Sequence, residues 1–292
     1  MTTTETPRTA SIRLDRYDSA RIARLAAEFQ AAKPFPHLVL DDILDADPSL
    51  ADAFPAPDWG GWLPYTNAYQ PEKLCCSDVT VIPEPLAAVL RQCNDRPFLQ
   101  FLESVTGIER LIPDPYYEGG GLHSSGPGGV LTAHTDFHIY ERLRLFRRVN
   151  MIIYMNPEWS AEYGGGLELF QPGTDTVVDE VLPSFGTTVI FKTDDRSVHG
   201  FSKPIAPGHR RNSLALYYYT SEDAEVFSGD HTTHWRRHAA ATGVDRVRLA
   251  TYHGLLKVSR GFSMAAHLAN PTQGRVWFRN AMETRRREKS GG

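Results

Sequence analysis

Residues 131–137 read Leu-Thr-Ala-His-Thr-Asp-Phe, a short run that sets a histidine and a carboxylate two positions apart beside small apolar residues. With 11 His in 292 residues, a His-x-Asp triplet arises about once by chance. Its meaning therefore depends on what surrounds it. Outward from it, the chain reads as short strands parted by turn signals, at 121–125, 130–136, 148–156, 166–170, 176–181, 187–192, 197–202 and 211–219. Strands at that density predict a sandwich or barrel. In the last of them Arg211, Ser213, Ala215, Tyr217 and Tyr219 point one way, and Asn212, Leu214, Leu216 and Tyr218 the other. The leucine face needs cover, which helices earlier in the chain supply.

Those helices are expected at 19–32, 85–93 and 98–105. In the first, Ile22, Leu25 and Phe29 make one apolar stripe. Lys33-Pro34-Phe35-Pro36 stops it, and Gly107 ends the third. Residues 37–40 read as a strand and 48–54 as a short helix. Residues 55–72, with Trp59, Trp62 and Tyr65, read as an irregular aromatic loop. After Thr220, residues 235–242 and 275–287 look helical and 243–273 are mixed. The expected organisation is a single catalytic domain over 1–292. It comprises a disordered lead (1–15), helical support (16–110), a β core (111–220) and a C-terminal extension (221–292).

Composition bounds the function. The chain is 41% hydrophobic and 23% charged, as in a globular protein with a sizeable core. No apolar run approaches the length of a membrane span, and residues 1–7 lack the basic-then-apolar order of a secretory signal. Three cysteines, Cys75, Cys76 and Cys93, make no disulfide framework and no thiolate zinc site, so a cytoplasmic setting is expected. Net charge is −4, yet residues 231–292 hold 12 Lys or Arg against three acids. That tail reads as a solvated surface or a contact for an anionic partner. No nucleic acid partner and no membrane are expected.

The chemistry lies in four residues taken in order. His134 and Asp136 end the second strand, His199 opens the seventh, and Arg211 opens the eighth. Two histidines and one carboxylate on one face of a divalent metal leave three positions open, the arrangement of non-haem Fe(II) oxygenases. A guanidinium deep in a barrel needs an anion. A dicarboxylate bound to iron by one end offers its other carboxylate to Arg211 as a bidentate pair, with Ser213 and Tyr154 adding hydroxyls. 2-Oxoglutarate is such a dicarboxylate. Arg210 is the rival to Arg211, and strand alternation aims only one of them inward.

At this point a resemblance is plain. Gly-Gly-Val-Leu-Thr-Ala-His-Thr-Asp at 128–136, Arg-Arg-Val-Asn-Met-Ile-Ile-Tyr-Met-Asn-Pro-Glu-Trp at 147–159 and Tyr-Gly-Gly-Gly-Leu-Glu-Leu-Phe at 163–170 come in order. They are followed by Pro-Ser-Phe-Gly-Thr-Thr-Val-Ile-Phe at 183–191, Ser-Val-His-Gly at 197–200 and Arg-Arg-Asn-Ser-Leu-Ala-Leu-Tyr-Tyr-Tyr-Thr at 210–220. This set resembles the 2-oxoglutarate/Fe(II)-dependent dioxygenase superfamily, in particular its prolyl 4-hydroxylase-like group. The resemblance implies a mainly β fold with flanking α, built on a double-stranded β-helix (jelly roll, cupin-like). It implies Fe(II) held by His134, Asp136 and His199, with 2-oxoglutarate as co-substrate on Arg211, Tyr154 and Ser213, O2 as oxidant and ascorbate as reductant. The retained Asp136 argues for hydroxylation over halogenation, which needs that position free. The expected substrate is a small molecule or amino-acid derivative, free or carrier-bound. A peptidyl substrate, or a desaturation or ring formation, is the alternative. His123 and His138, flanking the ligand strand, are the candidate substrate contacts. Oligomeric state is left open.

Overall fold

The computed structural model describes residues 10–222, 233–235 and scattered positions between 243 and 262. Cα packing divides the chain into Met1–His238 and Ala239–Gly292. The fold described below belongs to the first unit. In the second, the described positions are helical. Most of the basic tail, including the expected helix at 275–287 and residues 236–242 of the helix expected from Trp235, lies outside the described residues.

In chain order the strands are β1 (Ser11–Ile12), β2 (His37–Leu40), β3 (Leu44–Asp45), β4 (Leu63–Pro64), β5 (Lys73–Cys76), β6 (Ile112–Pro113), β7 (Gly121–Ser125) and β8 (Leu131–Thr135). They continue with β9 (Ile139–Tyr140), β10 (Leu145–Tyr154), β11 (Leu167–Phe170), β12 (Val177–Val181), β13 (Thr188–Lys192), β14 (His199–Phe201), β15 (Arg211–Thr220) and β16 (His234–Trp235). The helices are α1 (Ser19–Ala31), α2 (Glu84–Asn94) and α3 (Arg96–Thr106).

Two antiparallel sheets make the core. The larger runs β2-β13-β10-β15-β7-β5-β4, with β6 and β9 at its margins, and the smaller runs β12-β11-β14-β8-β16. Along the chain β7, β10, β13 and β15 fall in the large sheet, while β8, β11, β12 and β14 fall in the small one. The chain thus crosses repeatedly between the sheets, which is how a jelly roll encloses its interior. Leu167, Leu169, Val181, Val189 and Phe191 fill that interior around Phe35 and Tyr154.

The opposite face of the large sheet carries Leu122, Met151, Ile153, Leu214, Leu216 and Tyr218, and these pack with Leu86, Leu90, Phe98, Leu102 and Val105 of the helices. Each such side chain contributes about 1.5–3 kcal/mol by leaving water. The leucine face of β15 therefore finds the cover its alternation demands. Asp18 caps α1 by accepting a hydrogen bond from the Arg21 amide, and Gly107 ends α3 in the left-handed conformation (φ 70°), which glycine adopts without Cβ strain.

Two expectations about the N-terminal half need correction. Residues 10–15 are ordered: β1 pairs with β3, and the Ile12 amide donates to Gln92 Oε1 at 2.9 Å. A two-residue strand is too short for any period to announce it. The short helix expected over 48–54 is there, as a 3-10 helix at Pro48–Ala53. The aromatic loop holds β4 and leads into β5, which adds to the edge of the large sheet beside β7. Proline and tryptophan in that stretch hide the alternation. Trp235, expected to open a helix, instead pairs with His134 in register. No helix among the described residues is long and apolar enough to cross a membrane.

Candidate active site

The two sheets leave a cavity between them, and the candidate residues gather there. His199 and His134 are direct cross-strand partners in the β8–β14 ladder, which sets their rings 4.5 Å apart at 49°. Asp136 follows β8 immediately. Its Oδ1 lies 3.5 Å from His134 Nε2 and its Oδ2 3.5 Å from His199 Nε2. The three ligand atoms fall within 4.8 Å of one another, close enough for one ion.

The chemistry of the donor set fits a divalent metal. His134 Nδ1 donates to the Thr132 carbonyl at 2.8 Å and His199 Nδ1 to the Ser197 carbonyl at 2.9 Å. Each ring hydrogen is thereby fixed on Nδ1, and the Nε2 lone pairs converge on Asp136. A backbone carbonyl behind each imidazole is the usual support of a metal-ligating histidine. Burial of His199 lowers its pKa to about 4, with the Asp136 carboxylate acting against the shift, so the ring is neutral at physiological pH. Burial pushes the Asp136 carboxyl up, but Arg147, His199 and His134 together outweigh it and hold it well below the usual carboxylate range.

Two residues that the motif reading did not single out hold that carboxylate. Asn150 Nδ2 donates to Asp136 Oδ2 at 2.6 Å, and the Arg147 guanidinium lies 3.3 Å from the same oxygen. Arg147 Nε donates to Asn150 Oδ1 at 2.7 Å, so the arginine, the amide and the carboxylate close on one another. Arg147 is 1% exposed. Its guanidinium stacks 3.4 Å over the Tyr217 ring and 4.6 Å over Phe137. Burial alone lowers its pKa, yet the nearby Asp136 carries the balance upward. The signal in the sequence was the three-residue spacing of Arg147 and Asn150 in β10, but the bulge between Arg147 and Val149 removes the simple alternation that would have shown both facing inward.

Arg211 lies on the wall of the same cavity, with Tyr154 packed beside it. Its Nε donates to the Gly165 carbonyl at 2.7 Å and a terminal nitrogen donates to the Tyr154 hydroxyl at 2.9 Å. The guanidinium lies over the rings of Phe201 and Tyr154, at 4.6 and 4.8 Å. It is buried, which lowers its pKa, and no carboxylate among the described residues pairs with it. Gly165 has φ 70°, and a Cβ there would stand 3.0 Å from Arg211 Cδ, so glycine is required at this contact. Ser213 sits on the same wall. Arg210 points elsewhere, its Nε donating to Ser124 Oγ at 3.1 Å.

The cavity wall includes Gln70, Lys73, His123, Ser125, Ile152, Leu167, Phe201 and Tyr217 besides the triad, Arg211 and Ser213. His123 is there as expected. Burial, aided by Lys73, holds its pKa well below 6.5. His138 is not on that wall: it is 1% exposed and its ring packs on Phe146 at 5.4 Å. A two-residue step past Asp136 leaves the strand and turns His138 away. Gln70 and Lys73 come from the stretch whose sequence showed no period.

Residues 120–219 match the family described as the 2OG-Fe(II) oxygenase superfamily. The chain is similar to the prolyl 3-hydroxylase OGFOD1 of Xenopus laevis, at 32% identity over 79 residues, covering 25% of this chain and 15% of that protein. Among solved structures it resembles a Pseudomonas putida prolyl-4-hydroxylase (20% identity, 67% of this chain and 98% of that one, TM-score 0.49). It also resembles HygX from Streptomyces hygroscopicus, crystallised with nickel, 2-oxoglutarate and hygromycin B (12% identity, 68% and 92%, TM-score 0.43). The β core of this chain, residues 120–219, is thus similar to the 2OG-Fe(II) oxygenase superfamily.

Proposed function

We propose that this protein is a 2-oxoglutarate- and Fe(II)-dependent oxygenase that hydroxylates an unactivated C–H bond of a small molecule or amino-acid derivative. The observation that carries the reading is the pairing, across one buried cavity, of a metal-ready His134/Asp136/His199 triad with a buried Arg211 that has no carboxylate partner among the described residues. In that reading the triad holds Fe(II) through two imidazole Nε2 atoms and one carboxylate oxygen, leaving open positions for co-substrate and O2. When bound, the metal and 2-oxoglutarate supply the oxidising chemistry, with succinate and CO2 as co-products.

The chain's own residues do the rest. Arg211 takes the far carboxylate of 2-oxoglutarate as a fork of two N–H donors. The Tyr154 hydroxyl already accepts from Arg211, which leaves its own hydrogen to donate to the same carboxylate, and Ser213 adds a second hydroxyl. Asp136 stays ionised because Arg147, His199 and His134 outweigh its burial, and Asn150 steadies its Oδ2. Ile152, Leu167 and Phe201 keep that part of the cavity wall apolar and so exclude water, which strengthens each charge contact inside. Three free cysteines fit a reducing cytoplasm. The whole chain acts as one catalytic domain, with 221–292 as an extension. A peptidyl prolyl substrate is the second reading, favoured by the stretch similar to the Xenopus laevis prolyl 3-hydroxylase.

Purified protein given Fe(II), ascorbate, O2 and 2-oxoglutarate is expected to release succinate. Asp136→Ala is expected to lose bound iron and that turnover together. No succinate from the wild type with a broad metabolite pool, and Asp136→Ala binding iron as the wild type does, would sink the reading.

A further inference from the structure

Beyond the triad and Arg211, the cavity has a second cationic wall. β5, β7 and β15 are neighbours, and their registers set Lys73 opposite Ser125 and Ser125 opposite Arg211. Lys73, Ser125 and Arg211 therefore form one row across three strands, and all three line the cavity. Lys73 Nζ donates to Gln70 Oε1 at 3.2 Å and lies 5.7 Å from the centre of the Tyr65 ring. No carboxylate among the described residues forms an ion pair with it. Gln70 is 3% exposed. With its oxygen taken by Lys73, it has its amide hydrogens left to donate.

Charge decides what this pair is for. Ferrous iron and dianionic 2-oxoglutarate cancel each other, so with both bound the protein's own groups set the sign of the cavity. These are Arg211 and Lys73 on the wall, and Arg147 behind it, against Asp136, the one carboxylate among the described residues that line it. The loaded site stays positive, and an anionic substrate is favoured over a neutral or cationic one. Arg147 is engaged by Asp136, and Arg211 is taken by the co-substrate in the reading above. Lys73 is left. An ammonium beside a primary amide offers two adjacent donors of total charge one, which suits the two oxygens of a carboxylate. A phosphate dianion would leave charge unanswered.

We propose that Lys73 and Gln70 anchor a carboxylate of the substrate, so that this oxygenase acts on carboxylic acids and discriminates against their neutral derivatives. The inference rests on the 2-oxoglutarate/Fe(II) reading of the same cavity.

The test uses the full chain loaded with Fe(II) and 2-oxoglutarate without oxygen, so that nothing turns over. The visible absorption band of the iron–2-oxoglutarate complex is read first. Its absence in the wild type overturns the underlying reading, and this inference with it. Acetate, butanoate and hexanoate are then titrated against acetamide, butanamide, hexanamide and methyl phosphate by calorimetry. The acids are expected to bind at least about tenfold more tightly than their amides, the scale of one charge-assisted hydrogen bond. Lys73→Met is expected to erase that preference while the band persists, and Lys73→Arg to keep most of it. Equal binding of acids and amides, no binding of acids, or an unchanged preference in Lys73→Met with the band present overturns the proposal. So does tighter binding of methyl phosphate than of the acids, or loss of the band in both Lys73 variants, which would assign Lys73 to the co-substrate.

Discussion

Arg211, on the cavity wall, and Arg147, behind Asp136, are both buried cations, yet their partners give them different work. Arg211 rests on the Gly165 carbonyl, the Tyr154 hydroxyl and two aromatic faces, so its charge is unanswered until an anion arrives. Arg211→Met is expected to raise the KM for 2-oxoglutarate about thirtyfold or more, the scale of removing one partner of a buried charge pair. Steady-state succinate release against 2-oxoglutarate concentration reads it. Arg211→Lys should recover only part, because an ammonium lacks the planar fork. Arg147 is answered by Asp136 and sandwiched by Tyr217 and Phe137, and it acts by aiming the carboxylate. Arg147→Met is expected to weaken Fe(II) binding by about 10–100-fold, read by metal titration, with the KM for 2-oxoglutarate changed far less. At this scale the candidate triad and Arg211 could be picked out of the sequence because His134, Asp136 and His199 come at a recognisable spacing and strand alternation separates Arg211 from Arg210. Arg147 was not, since its position depends on a bulge. Lys73 was not, since nothing local says that 73–76 joins the sheet.

The elements explain why a loop glycine can govern a binding constant. Gly165 lies between a 3-10 turn at Ala161–Tyr163 and β11, where its carbonyl receives Arg211 and its missing Cβ leaves room for the arginine's methylenes. Gly165→Ala places an L side chain at φ 70° and against Arg211 Cδ. About 1–2 kcal/mol of stability should be lost from the left-handed backbone alone, visible as a lower Tm. The KM for 2-oxoglutarate should rise as the guanidinium is displaced. An unchanged KM would mean that the Gly165 contact does not position Arg211. The core strands from 121 to 220 could be read because each is bounded by turn residues and β15 alternates without interruption. What escaped were two-residue strands such as β1 and β4, whose pairing comes from long-range register and not from any period of their own.

At the scale of the whole fold, several buried titrating groups share one cavity, and a response to acid follows. His123 has its pKa held well below 6.5 by burial and by Lys73. The unfolded chain takes up a proton at this residue once the pH falls below about 6.5, and the folded chain does not. Folding stability should therefore decline as pH drops from 7 through 6.5 and below. His123→Gln should flatten that slope in denaturant titrations at pH 5 and pH 7. The same wall that discourages a proton on His123 also prepares the triad. The carbonyls of Thr132 and Ser197 fix the ring hydrogens of His134 and His199 on Nδ1, His199 titrates only near pH 4, and Asp136 is already ionised. Many metal sites expel protons as they fill. Here Asp136 and His199 have none to give up at neutral pH. Calorimetric heats of metal uptake at neutral pH, measured in buffers of different ionisation enthalpy, should therefore contain no proton release from Asp136 or His199: these two ligands take the metal without acidifying their surroundings.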